Sequence, residues 1–263
     1  MKFRPCIDIH NGNVKQIVGG SLKDEGDSAE NNFISDKDAA YYAEMYMKDG
    51  FSGGHIILLN PPSSEYYEQD LEQAGKALAL YPGGMQIGGG VNTDNALRFI
   101  EMGASHVIVT SFVFRDGMID YDRLKKLSDM VGREHLVLDL SCRYYEAAYY
   151  IVTDRWQKMT SEKLNIELLD SLSEYCDEFL VHAVDVEGKA SGVERDVIRI
   201  LGEYCRKESG DTRSVTYAGG IHSLDDLEFI RDNGMSGVDF TIGSALDIFG
   251  GNIPYEFLKK FSD

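Results

Sequence analysis

Two stretches of this 263-residue chain, lying about half its length apart, repeat one another. The segment GGGVNTDNALRFI from Gly88 matches AGGIHSLDDLEFI from Ala218. Gly89 corresponds to Gly219, Leu97 to Leu227, Phe99 to Phe229 and Ile100 to Ile230. After Gly103 and Gly234 come apolar runs that lead to Thr110-Ser111 and Gly243-Ser244. Near the start of each half sits an acidic strand, CIDI with Asp8 and VLDL with Asp139. One shared glycine pair would mean little. A register shared by a strand, a helix and an acidic position confines the chain to an architecture of two equivalent halves.

The pattern between the repeats says what those halves contain. Eight short apolar runs read as strands: Arg4–Ile9, His55–Asn60, Met85–Gly88, His106–Thr110, Leu136–Leu140, Phe179–Ala183, Ser214–Ala218 and Val238–Ile242. Most are continuous rather than alternating, as in parallel strands buried on both faces. Helix signals fall between them. Ser35 caps a helix reaching Asp49, and Glu65–Tyr81 carries Leu71, Ala74 and Leu78 on one face. Thr93 or Asp94 opens a helix with Leu97 and Ile100, and Tyr121–Val131 another with Leu124 and Leu127. Ser161–Tyr175, Glu194–Tyr204 and Ser223–Asn233 follow, and Pro254 opens a short last helix. Strand–helix alternation means an α/β fold with a parallel sheet. Eight units in this length predict a (β/α)8 TIM barrel of two duplicated half-barrels, one domain spanning 1–263. The segment RYYEAAYYIVTDRW, between Cys142 and Thr160, is too long for an ordinary βα loop and predicts a hairpin over the barrel mouth.

Composition narrows the function. The net charge of −18 argues against nucleic acid, whose phosphates would be repelled. No apolar run approaches the roughly 18 residues a membrane span needs. The N-terminal MKFRPCIDIHNG reads as a strand rather than a signal peptide, so the cytoplasm is the expected compartment. Cys6, Cys142, Cys176 and Cys205 are scattered without C-x-x-C spacing, which favours reduced buried thiols over a metal site or disulfide framework.

The glycine turns carry chemistry. QIGGGV, with Gly89-Gly90, and YAGGI, with Gly219-Gly220, each follow a strand and precede a helix. Missing side chains let an anion reach backbone N–H groups, and a helix N-terminus favours negative charge. Each turn is followed one unit later by a small hydroxyl or glycine pair, Thr110-Ser111 and Gly243-Ser244, and Gly188 can add N–H donors to the second site. The plain alternative is a tight βα turn and nothing more. A repeated pair favours two phosphate sites on opposite sides of a mouth, hence a small substrate phosphorylated at each end.

Asp8 and Asp139 lie near the C-terminal ends of apolar strands, where barrel active sites sit and a buried carboxylate is costly unless used. Two carboxylates on opposite strands can exchange protons with two sides of one substrate. The alternatives are that Asp8 caps the turn ending at Gly12 and that Asp139 pairs with Arg143. If the expected hairpin closes over Asp139, exclusion of water should raise its pKa above that of Asp8. His182, near Asp185 at the end of the sixth strand, could polarise a substrate or be a satisfied structural group. Trp156, the only tryptophan, could stack on a flat ring or fill the core.

The motifs PCIDIHNGNVKQIVGG, IGGGV, VLDLSCR, HAVDVEG, YAGGI and IGSALDIFGGN closely resemble one family over essentially the whole chain. It is the histidine-biosynthesis isomerases that act on phosphoribosyl-formimino-aminoimidazole carboxamide ribotide, in the branch typical of eukaryotes. The resemblance implies an Amadori rearrangement of an aminoaldose to an aminoketose. It assigns acid/base work to Asp8 and Asp139, with Asp139 opening the furanose and Asp8 removing the C2 proton. It assigns phosphate binding to Gly89-Gly90, Thr110-Ser111, Gly188, Gly219-Gly220 and Gly243-Ser244. It implies no metal or organic cofactor, since the imine nitrogen serves as electron sink, and a monomer is expected. The chain departs from many bacterial members in having IILLNPPSS after the second strand and His182 where they carry a threonine. Two rival readings remain open: the cyclase that follows in the pathway, whose family places a lysine at Gln16, and a non-catalytic phosphate-binding barrel.

Overall fold

The computed structural model describes residues 1–18, 21, 29–189, 191–206 and 213–262. Eight strands run parallel in chain order: β1 Cys6–His10, β2 Gly54–Leu58, β3 Met85–Gly88, β4 Val107–Val109, β5 Leu136–Asp139, β6 Glu178–His182, β7 Ser214–Ala218 and β8 Val238–Phe240. Each pairs in parallel with the next. The ring closes where Phe3 bridges Phe240: Arg4 N–H donates to Phe240 O at 2.8 Å and Phe240 N–H to Lys2 O at 3.0 Å. The Arg4 guanidinium meets Asp239 at 2.9 Å across the same seam. The expected barrel is therefore present, with strand ends displaced by at most two residues from the sequence reading.

Each strand is followed by one helix: α1 Ala39–Lys48, α2 Tyr67–Leu80, α3 Ala96–Glu101, α4 Tyr121–Val131, α5 Ile166–Leu172, α6 Arg195–Arg206, α7 Leu224–Asn233 and α8 Tyr255–Leu258. Although the strands read as continuous apolar runs, their two faces do different work. Ile7, Ile56, Ile87, Leu138, Val181 and Tyr217 pack outward into the main core beneath the helices. Residues of the other parity point into the barrel, where Ile108, Val137, Leu180 and Ala218 form a second small cluster. Below it Glu178 accepts from Gln86 at 2.9 Å and Thr216 at 2.7 Å. Period two along β6 then carries Glu178, Leu180 and His182 up the interior towards the C-terminal mouth.

Local chemistry moved several helix ends. α1 is capped by Asp38, whose side chain accepts from Tyr41 N–H, and Ser35 instead accepts from Lys37 N–H. α7 starts at the Ser223–Asp226 capping box. The matching α3 starts two positions later in the repeat, after Asn92 and Asn95 have tied up the turn. The two helices are thus rotated relative to the repeat, and Leu97 is 46% exposed whereas Leu227 is buried.

The largest difference lies over the mouth. The expected hairpin is a three-stranded antiparallel sheet, Cys142–Tyr145, Ala148–Thr153 and Lys158–Lys163. Its third strand consumes the residues read as the start of a helix at Ser161, so α5 begins after Asn165, which caps it. Two further strands, Asn13–Ile17 and Asn31–Ile34, extend antiparallel from the end of β1. Among the described residues no helix is long and apolar enough to cross a membrane.

Candidate active site

Asp139 is the last residue of β5, and every donor around it comes from a neighbouring strand end or turn. Its Oδ1 accepts from Ser141 Oγ at 2.8 Å and lies 3.3 Å from His182 Nδ1. Its Oδ2 accepts from Thr110 Oγ1 at 3.2 Å. Burial pushes this carboxyl up, but the His182 charge and these hydrogen bonds outweigh it and hold the pKa below the ordinary value. The expectation that Asp139 is the raised member of the pair is therefore overturned. Water exclusion raises a carboxyl where nothing replaces the water, and here Ser141, Thr110 and His182 replace it. Nor does Asp139 pair with Arg143, which binds Asp185 at 3.2 Å.

Burial alone would lower the His182 pKa, yet Asp139 and the more distant Glu187 and Asp8 carry it to about 9. The Trp156 ring lies 6.2 Å from the His182 ring, and Trp156 Nε1–H donates to Ser141 Oγ at 3.0 Å. Trp156 is held there by a tight turn in which Asp154, Arg155 and Trp156 all have left-handed φ, at 51°, 55° and 66°. Non-glycine residues there cost about 1 kcal/mol or more each, so the turn is an imposed conformation. On the other side, the His55 ring lies 6.3 Å from His182 and burial lowers its pKa to about 3, so it is neutral.

Asp8 sits in β1 and lines a cleft with His182, Glu187, Gly188, Gly219, Gly220, Gly243 and Ser244. Burial and the nearby Glu187 raise its pKa to about 7, against the opposing pull of His182 and Gln16. Its nearest donor is Gln16 Nε2, at 3.4 Å. Asp8 does not cap the turn at Gly12, whose N–H donates to Asp70 at 2.7 Å. Gln16 and Glu187 escaped the sequence reading as parts of the site. In the sequence Gln16 is only a family marker and Glu187 only part of the motif that carries Gly188. The Glu187 Oε2 is buried with no hydrogen-bond partner among the described residues, and burial raises its pKa.

The glycine turns are equivalent in three dimensions. Gly89 and Gly219 have φ of +105° and +120°, and a Cβ at either would press on a backbone carbonyl, that of Leu58 after Gly89 and that of Ala183 after Gly219. Both glycines therefore sit in tight βα turns that exclude a side chain. The second set, Gly188, Gly219, Gly220, Gly243 and Ser244, lines the cleft with Asp8. The first set does not line it. Gly90 faces Pro62, Thr110 binds Asp139, and Ser111 Oγ accepts from Asp154 N–H at 2.9 Å.

The sequence matches the family model described as "Histidine biosynthesis protein" over residues 2–253. The chain belongs to that family. Curated relatives within it share one printed name, 1-(5-phosphoribosyl)-5-((5-phosphoribosylamino)methylideneamino)imidazole-4-carboxamide isomerase. That of Medicago truncatula, named as chloroplastic, is 53% identical over 97% of this chain and 80% of that protein. That of Yarrowia lipolytica is 44% identical over 100% of this chain and 96% of that protein. That of Saccharomyces cerevisiae is 39% identical over 100% and 96%. The plant and yeast sources agree with the eukaryotic branch named from the motifs.

Proposed function

We propose that this chain catalyses the same isomerisation, converting the formimino aminoimidazole carboxamide ribotide to its ribulosyl form. The observation that carries the reading is the meeting at one barrel mouth of Asp8, the Asp139–His182 pair and the Gly219-Gly220 turn. The reaction needs a proton delivered to the furanose oxygen and another taken from C2. Asp8, with a pKa of about 7, is suited to take a proton near neutrality. Asp139, hydrogen-bonded to His182, serves the opposite side. One substrate phosphate is assigned to Gly188, Gly219-Gly220 and Gly243-Ser244, and the other to Gly89-Gly90 and Thr110-Ser111. Backbone N–H groups and turn glycines suit a dianion even in a chain of charge −18. Trp156, beside His182, is positioned to cover the flat imidazole portion of the substrate.

The proposed assembly is a monomer. The free cysteines among the described residues support the cytoplasm as its compartment. The test is a difference spectrum of purified protein mixed with the formimino ribotide. Conversion to the ribulosyl form without added ammonia supports the isomerase. Turnover of the ribulosyl form only, with ammonia, would assign the cyclase. No turnover of either would leave a phosphate-binding barrel.

A further inference from the structure

The proton-donating side of the site contains two groups, and they are not equally able to give a proton. Both oxygens of Asp139 already accept hydrogen bonds, from Ser141, Thr110 and His182. A carboxyl in that setting is held as an anion, because protonating it would break contacts that favour the charged form. His182 is arranged differently. Its Nδ1 faces Asp139, its ring lines the cleft shared with Asp8, and its Nε2 has no hydrogen-bond partner among the described residues. A carboxylate on one ring nitrogen with the other nitrogen turned to a cleft is the arrangement by which a histidine is oriented for proton transfer.

We infer that His182 Nε2 is the atom that protonates the furanose oxygen, and that Asp139 is a positioning residue acting through it. The inference rests on the proposed isomerisation and deepens it. The Nε2 proton passes to the ring oxygen as the C1–O bond breaks, its electron pair staying on oxygen. The nitrogen lone pair on C1 closes the imine. Asp8 takes the C2 proton, giving the enaminol and a protonated Asp8. Neutral Nε2 then accepts the 2-hydroxyl proton as the ketone forms, while Asp8 returns its proton to C1. Both groups end as they began.

Charge around the ring supports a proton resting there. Asp139 from β5, Asp8 from β1 and Glu187 after β6 all favour the cation. His55 from β2 opposes it, but is itself neutral. Together they keep His182 protonated until about pH 9, so a donor is present throughout the neutral range.

The test uses the full chain with the formimino ribotide as substrate, comparing wild type, His182→Gln and His182→Ala, with melting curves to show that each variant is folded. The expected result is a fall in kcat of about 10²–10⁴-fold in both variants with KM changed far less, the range for a lost acid–base group. The basic limb of the pH profile should vanish with it. Added imidazole should restore part of the turnover of His182→Ala, most strongly where imidazole is protonated, and should do nothing for Asp8→Asn. If His182→Gln keeps more than about a tenth of wild-type kcat, or retains the basic limb, His182 is not the donor. A wild type that fails to convert the ribotide sinks the functional reading itself, whereas an active wild type with active His182 variants sinks only this inference.

Discussion

Asp139 Oδ1 lies 3.3 Å from His182 Nδ1, and this contact sets the charge of both groups. It lowers the pKa of the carboxylate and raises that of the imidazole. Asp8, across the cleft, is buried beside the like charge of Glu187 and, among the described residues, has a long contact from Gln16, so its pKa rises. The barrel mouth therefore holds three titrating groups pushed in different directions, as acid–base sites require.

The first prediction is a bell-shaped pH profile. Asp8 must be ionised to take a proton, so kcat/KM should fall as pH drops through about 7. His182 must be protonated to hold the acid side ready, so kcat/KM should fall as pH rises through about 9. Initial rates across pH 5 to 10 in constant ionic strength provide the check. A profile flat from pH 6 to 8 would contradict the Asp8 limb.

Phosphate should protect the fold. The turns at Gly219-Gly220 and Gly243-Ser244 line the cleft as the proposed anion site, which the unfolded chain lacks, so binding there would raise Tm by mass action. A thermal melt in tens of millimolar phosphate should run higher than one in chloride of equal ionic strength. Identical melts would remove the anion site from the account.

Asp8 should weaken the fold where it serves function. Its pKa is raised in the folded state, so its contribution to stability is fully present below the unfolded pKa and lost as pH rises through about 7. Asp8→Asn removes that loss. Since about 1 kcal/mol moves Tm by about 2–4 °C in chains of this size, a gain of that order is expected at pH 8 and none at pH 4. Equal Tm differences at the two pH values would show that Asp8 carries no such strain.

Much of this was legible before any coordinates. Short apolar runs marked all eight barrel strands, because parallel strands are buried on both faces and even their polar interior positions, such as Gln86, Glu178 and Thr216, interrupt the runs only singly. The repeat located equivalent glycine turns, because the same carbonyl contact at Leu58 and Ala183 demands glycine in both halves. It misled at Leu97, because α7 starts on the Ser223–Asp226 capping box whereas the Asn92 and Asn95 side chains hold the turn before α3 and delay its start. The mouth sheet was read as a hairpin because its third strand, KMTSEK, is polar and solvent-facing and has no apolar signature. The charge of Asp139 lay out of reach because two of its three contacts are decided in space. Ser141 lies two residues away in the same segment, but Thr110 and His182 come from other strands, and only the closed barrel brings them to this carboxylate.

The central claim is that Asp8 and the Asp139–His182 pair serve proton transfer rather than substrate binding. It is tested most directly by kcat and substrate affinity for Asp8→Asn and Asp139→Asn, measured separately with the formimino ribotide. Asn keeps the size of Asp and removes the carboxylate, while the phosphate turns stay intact. Both variants should lose about two to four powers of ten in kcat and still bind the substrate. If either keeps more than about a tenth of wild-type kcat, that residue takes no part in proton transfer. If both lose binding while turnover of bound substrate survives, they are substrate ligands and the proposed mechanism is wrong.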